Sequence, residues 1–136
     1  TGSFPVKLIA PDLYRSINLQ EEWGRLYKIE AKIPQAGLAI IGDTNGKEEL
    51  ISKVLAEYDK SLAWYKNNKE EASKLVVKTL PMLEEKGLAD SIEHVRFENI
   101  NAINSKKDLE FFFDILMQND SKLIGGKLPN EDFYYK

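Results

Sequence analysis

The sequence predicts an α/β fold, with a few short strands covered by about five helices. Three observations predict it. Residues 6–10, Val6-Lys7-Leu8-Ile9-Ala10, form a β-type run that Pro5 and Pro11 bound, and Pro cannot extend a central ladder. Residues 33–41 form a near-continuous apolar stretch that stops at the turn cluster Gly42-Asp43-Thr44-Asn45-Gly46. A helical pattern lies between these two runs, and strand–helix–strand order suggests an α/β element.

The elements follow in chain order. Asn18 is an N-cap with Glu21 as its capping-box partner, and Leu19, Trp23, Leu26 and Tyr27 fall on one helical face. The stretch over 36–42 reads as a strand buried on both faces, although periodicity alone leaves a helical segment open. Asn45, with Glu48 three residues later, caps a long helix whose stripe runs Leu50, Ile51, Val54, Leu55, Tyr58, Leu62, Tyr65. Asn68 with Glu71 opens a further helix, which Pro81 stops. A weaker helix over Leu83, Leu88, Ile92 and Val95 is interrupted near Gly87, and 95–98 reads as a short strand or an extended link. Ser105 with Asp108 caps a last helix, 106–119, carrying apolar residues on two sides, so two neighbours should cover it. An unbound Phe133-Tyr134-Tyr135 terminus would be sticky, so the tail is expected to dock back onto the body.

The chain has 136 residues, room for one domain, and residues 4–136 are read as a single unit behind a cloning remnant, Thr1-Gly2-Ser3. A hydrophobic share of 43% with 30% charged residues describes a folded chain. Net charge is −3, from 19 basic and 22 acidic residues, which disfavours general phosphate-backbone binding. Cysteine is absent and His94 is the single histidine, which excludes disulfides, thiolate zinc and multi-histidine metal sites. No Walker-type loop and no G-x-S-x-G elbow occurs. Acidic pairs at 21–22, 48–49, 70–71 and 84–85 sit at expected helix starts, where the helix dipole accounts for them. No cofactor and no catalytic residue is assigned, and the chain is read as a non-enzyme. Trp23, Trp64 and Tyr65 read as core or groove filler. Tyr14 and Arg15 lie just past the first strand, where α/β proteins often place ligand contacts. Tyr14 offers a flat ring and a hydroxyl, and Arg15 can grip an anion, although a plain loop is the favoured reading of this segment.

The ordered segments Ile33-Pro34-Gln35-Ala36-Gly37-Leu38-Ala39-Ile40, Ser61 to Ala72, Leu80-Pro81-Met82-Leu83 and the closing run Leu123 to Tyr135 resemble a known family. They are similar to the C-terminal half of ABC-transporter substrate-binding proteins of the NMT1/THI5-like, SsuA-like type. The resemblance implies a partial type II periplasmic-binding-protein fold, the end of one lobe plus the C-terminal return. It implies an extracytoplasmic protein, often a lipoprotein, that delivers a small organic solute to a membrane permease without catalysis. Residues 30–37 would then lie near a crossover between lobes, with Pro34 stiffening the strand and Gln35 presenting its amide to solute beside Tyr14 and Arg15. The alternative from a different class is a helical protein–protein interaction module. Exposed strand edges in such a half-sheet would favour self-association.

Overall fold

The computed structural model describes Tyr14 and residues 16–135. The β-type run at 6–10 and the candidate Arg15 lie outside the described residues. Five α-helices occur among the described residues: α1 (Leu19–Tyr27), α2 (Glu48–Asn67), α3 (Lys69–Thr79), α4 (Glu85–His94) and α5 (Ala102–Asn119). Two single-turn 3₁₀ segments follow, Ser121–Ile124 and Glu131–Phe133. No strand occurs among the described residues, which overturns the expected α/β, partial periplasmic-binding-protein fold.

The physical reason is visible in the backbone. A strand satisfies its N–H and C=O groups only against a neighbour. The Ile33 amide donates to the Gln20 side chain (3.3 Å). From Pro34 to Gly42 the backbone makes no hydrogen bond among the described residues, and Ile41 is 96% exposed. The apolar run is therefore irregular chain on the surface. The 95–98 segment fails as a strand for a related reason: its neighbour is a helix. Lys66 Nζ donates to the Phe97 carbonyl (3.2 Å), and the Phe97 ring meets Tyr65 edge-on at 5.5 Å. Asn99 then reaches Asp59 Oδ1 (2.6 Å). Side chains anchor this stretch along α2, and no ladder can form.

The chain divides into two compact units. Among the described residues, one is built from Ile40–Asn99 with Tyr14 and Ser16; the other is Ile17–Ala39 with residues 100–135. In the first unit, α3 and α4 form an antiparallel hairpin, because Lys69 at the start of α3 pairs with Glu93 near the end of α4. Each partner perturbs the other: Lys69 holds the Glu93 carboxyl below its ordinary range, and Glu93 raises Lys69. The hairpin closes on small residues. Ala72 and Ser73 of α3 and Gly87, Leu88 and Ser91 of α4 are buried, and small side chains let helix axes approach closely. Gly87 does not interrupt its helix as the sequence suggests; it sits inside α4. Helices α2 and α3 are separated by Asn68 alone, whose side-chain amide donates back to the Trp64 carbonyl (2.9 Å). Asn68 also stands at the N-cap position of α3, as expected, with its carbonyl accepting the Ala72 amide (2.8 Å), but its side chain makes no cap bond there.

Ahead of α2 the expected Asn45 cap is displaced. Lys47 is the N-cap residue and makes no side-chain cap bond. Asp43 organises the turn instead, accepting the Asn45 amide (3.0 Å), while Glu48 accepts the Gly46 amide (3.2 Å).

In the second unit, Asn18 caps α1 as its sequence suggests, accepting the amides of Gln20 and Glu21. Trp23 and Tyr27 then pack on α5: Trp23 lies 5.7 Å from Phe111 and 5.9 Å from Phe112, and Tyr27 lies 5.2 Å from Phe111. Tilted and edge-on aromatic pairs of this kind add to plain area burial. Lys32 bridges Glu30 (2.9 Å) and Asp108 of α5 (3.1 Å). Helix α5 begins four residues earlier than the Ser105 cap allows, at Ala102, behind the N-cap Asn101, whose side chain accepts the Asn104 amide (2.9 Å).

Two outcomes follow from this architecture. Far-ultraviolet circular dichroism should report helix without a β component; a clear β contribution would contradict the helical assignment. Gly24→Ala should destabilise the second unit by about 1–3 kcal/mol in a denaturant melt. A Cβ there meets the Ala31 Cα and the Ile29 carbonyl oxygen, each at 3.0 Å, and both are backbone atoms that cannot swing aside.

Candidate functional site

The residues expected to meet ligand can be placed first. Tyr14 is 80% exposed on irregular chain and makes no hydrogen bond or ring contact among the described residues. Gln35 is exposed in the unbonded stretch after Ile33. Tyr14 belongs to the first unit and Gln35 to the second. No described pocket gathers them.

The described concavity lies within the first unit. Lys60, Ser61, Trp64 and Tyr65 of α2 and Leu75 of α3 line an open groove of about 440 Å³. Its walls follow from helical spacing. Lys60, Ser61 and Trp64 stand three and four residues apart on α2, so they share a face. The chemistry on offer is apolar. Burial pushes the Tyr65 phenol above its ordinary pKa, so it stays a neutral donor at physiological pH. Lys60 is drawn to Glu57 (2.6 Å), and the Ser61 hydroxyl donates to the Glu57 carbonyl (2.8 Å). Both polar groups are thus engaged within their own helix. Trp64 and Tyr65, read from sequence as core or groove filler, supply the groove wall; their joint pairing with Leu75 depends on the Asn68 break and was not legible beforehand.

The hydroxyls of Ser61, Ser73, Ser91 and Ser105 all donate to backbone carbonyls of their own helices. His94 Nε2 faces Asp90 Oδ1 at 3.7 Å, four residues back on α4. Among the described residues no three or more His, Asp or Glu side chains are grouped to hold a metal ion. No described helix is long and apolar enough to cross a membrane.

A second polar–aromatic cluster lies in the second unit, on the C-terminal half of the chain. Tyr134 is 2% exposed, and its hydroxyl donates to Glu110 Oε1 of α5 (3.3 Å). Lys106 of α5 sits 5.1 Å from the centre of the Tyr134 ring and pairs with Glu131. Glu131 in turn raises the Lys106 pKa. Phe133 meets Phe113 at 6.3 Å. The tail thus docks on α5, as its three consecutive aromatics suggested.

Comparison with protein-family models, with curated proteins and with solved structures finds no match to this chain.

Burial raises the Tyr134 phenol above the ordinary tyrosine value, helped by the Glu110 charge and opposed by Lys106. A raised acid pKa means that the docked form holds its proton more tightly. The stabilisation is therefore full below about pH 10 and is lost as pH rises through the raised Tyr134 pKa. Ultraviolet phenolate titration should show Tyr134 ionising late, as Tyr65 does, with Tyr134→Phe reducing the late amplitude by one phenol. Amide exchange in residues 131–135 should accelerate over the same alkaline window.

Proposed function

We propose that this chain belongs to a non-catalytic solute-binding component of an ABC importer for a small organic molecule, working with a membrane permease outside the cytoplasm. One observation carries the reading furthest. The chain passes from one compact unit to the other between Ala39 and Ile40, two residues beyond the 30–37 segment that the resemblance places at a lobe crossover, and it returns between Asn99 and Ile100. Solute receptors of this class work by hinge closure of two bodies linked by a few crossing segments. The backbone over residues 34–42, which makes no hydrogen bond among the described residues, suits a crossing segment, since it can change its dihedral angles without breaking a ladder between them. The reading concerns this role and takes the helical architecture of the described residues as it stands.

A second reading has its own observation. Leu50, Val54 and Tyr58 follow one another at four-residue spacing on α2, and all three are exposed. Such a stripe fits a helical protein–protein interaction module.

One experiment separates the two. The chain, within its complete natural reading frame, is screened by thermal shift against small organic solutes, and the best solute is followed by calorimetry. The solute reading expects saturable stabilisation and at least a tenfold rise in Kd, about 1.4 kcal/mol, for one or more of Tyr14→Ala, Arg15→Ala and Gln35→Ala. Unchanged affinity in all three removes those residues from the site. If no solute stabilises the protein, while a protein partner is lost on Leu50→Lys with Val54→Lys, the interaction module holds. Neighbouring genes for a permease and an ATPase would favour the importer independently.

A further inference from the structure

We propose that residues 130–135 form a detachable strap, and that the surface it covers on α5 is a docking site for the same strap of a second copy of this chain. This goes beyond the solute reading and does not depend on it.

Among the described residues, the strap meets α5 through side chains. Lys106 pairs with Glu131 and lies against the Tyr134 ring, the Tyr134 hydroxyl reaches Glu110, and Phe133 packs on Phe113. Its own backbone bonds are internal, from the Phe133 amide to the Asn130 carbonyl (3.1 Å) and from the Tyr134 amide to the Glu131 carbonyl (3.2 Å). The strap can leave α5 without breaking any backbone hydrogen bond of that helix.

The connector permits the movement. Gly125 and Gly126 have positive φ, 74° and 84°, and their amides close the preceding turn, donating to the Lys122 carbonyl (3.3 Å) and the Ser121 carbonyl (2.8 Å). The freedom lies just beyond them: residues 127–129 make no backbone hydrogen bond among the described residues. Rotation there moves the strap without breaking a backbone bond between described residues.

The chemistry names the occupant. The covered surface offers a cation, Lys106, beside an aromatic, Phe113, and the strap supplies Glu131 beside Phe133 and Tyr134. A strap from another copy makes the same contacts, so reciprocal exchange loses none of them, as in domain swapping. The tether favours a chain's own strap through an effective concentration on the order of millimolar. Exchange therefore grows as the protein approaches that range, and in any setting that crowds copies together.

The test uses the intact chain. Equal amounts of natural-isotope and heavy-nitrogen protein are mixed over a range of concentrations and treated with a carbodiimide, which joins a lysine amine to a carboxylate that it touches. Mass spectrometry then reads the Lys106–Glu131 cross-link. The expected result is a mixed-label cross-link that rises with concentration and falls when a synthetic peptide of residues 127–136 is added in excess. Same-label cross-links alone at every concentration would overturn the proposal, and so would mixed-label cross-links that the peptide leaves unchanged. Absence of the Lys106–Glu131 cross-link in any form would also overturn it, because the clasp itself would be missing. Glu131→Gln, which cannot be activated, provides the assignment control.

Discussion

Backbone hydrogen-bond satisfaction is the constraint on which the rest of this structure depends. A helix meets it within its own turns, whereas an extended segment meets it only against another segment. Among the described residues, the stretches with a helical period and terminating residues form helices, and the stretch with a strand-like composition finds no neighbour. Residues 34–42 carry the apolar content of a buried strand and none of its bonds. Exposure of Leu38, Ile40 and Ile41 follows directly, since a strand that is not paired has no sheet to hide a face against. That exposed apolar backbone is the feature of this chain most open to pairing with another segment.

What was legible in the sequence divides along the same line. Local signals were: Asn18 as a cap, Trp23 and Tyr27 as one face, the two-sided character of α5, and the docking of the terminal aromatics. Each depends on residues within a few positions of one another, or on plain hydrophobicity. Signals that needed a distant partner were misread. The 36–42 run has strand composition, but composition does not supply the neighbouring strand. Residues 95–98 are extended because α2 receives them through Tyr65 and Lys66, a pairing about thirty residues away. Gly87 was read as a breaker because glycine weakens an exposed helix. Here Gly87 is buried inside α4, away from the solvent that makes glycine weaken an exposed helix. Of the candidate ligand residues, the sequence marked Tyr14 and Gln35 by chain position. Position alone does not gather side chains, and the described residues leave these two exposed in separate units.

The two units are stabilised by different means. The second relies on aromatic rings, with α5 sandwiched between the Trp23–Tyr27 pair on one side and the Phe133–Tyr134 pair on the other. The first relies on small residues, Ala72, Ser73, Gly87 and Ser91, that bring α3 and α4 together, with the Lys69–Glu93 pair at the open end. Exposed ion pairs of that kind contribute little energy. The pair serves instead to fix which end of α4 lies beside the start of α3.

The single-residue junction at Asn68 has a mechanical meaning. Helix α2 has 20 residues, which at 1.5 Å per residue is a rod roughly 30 Å long. The next rod starts one residue later, with the Asn68 side chain tied to the preceding turn. With one residue between the rods, its two backbone dihedrals, φ −128° and ψ 49°, set the heading on which the α3–α4 hairpin leaves the long helix.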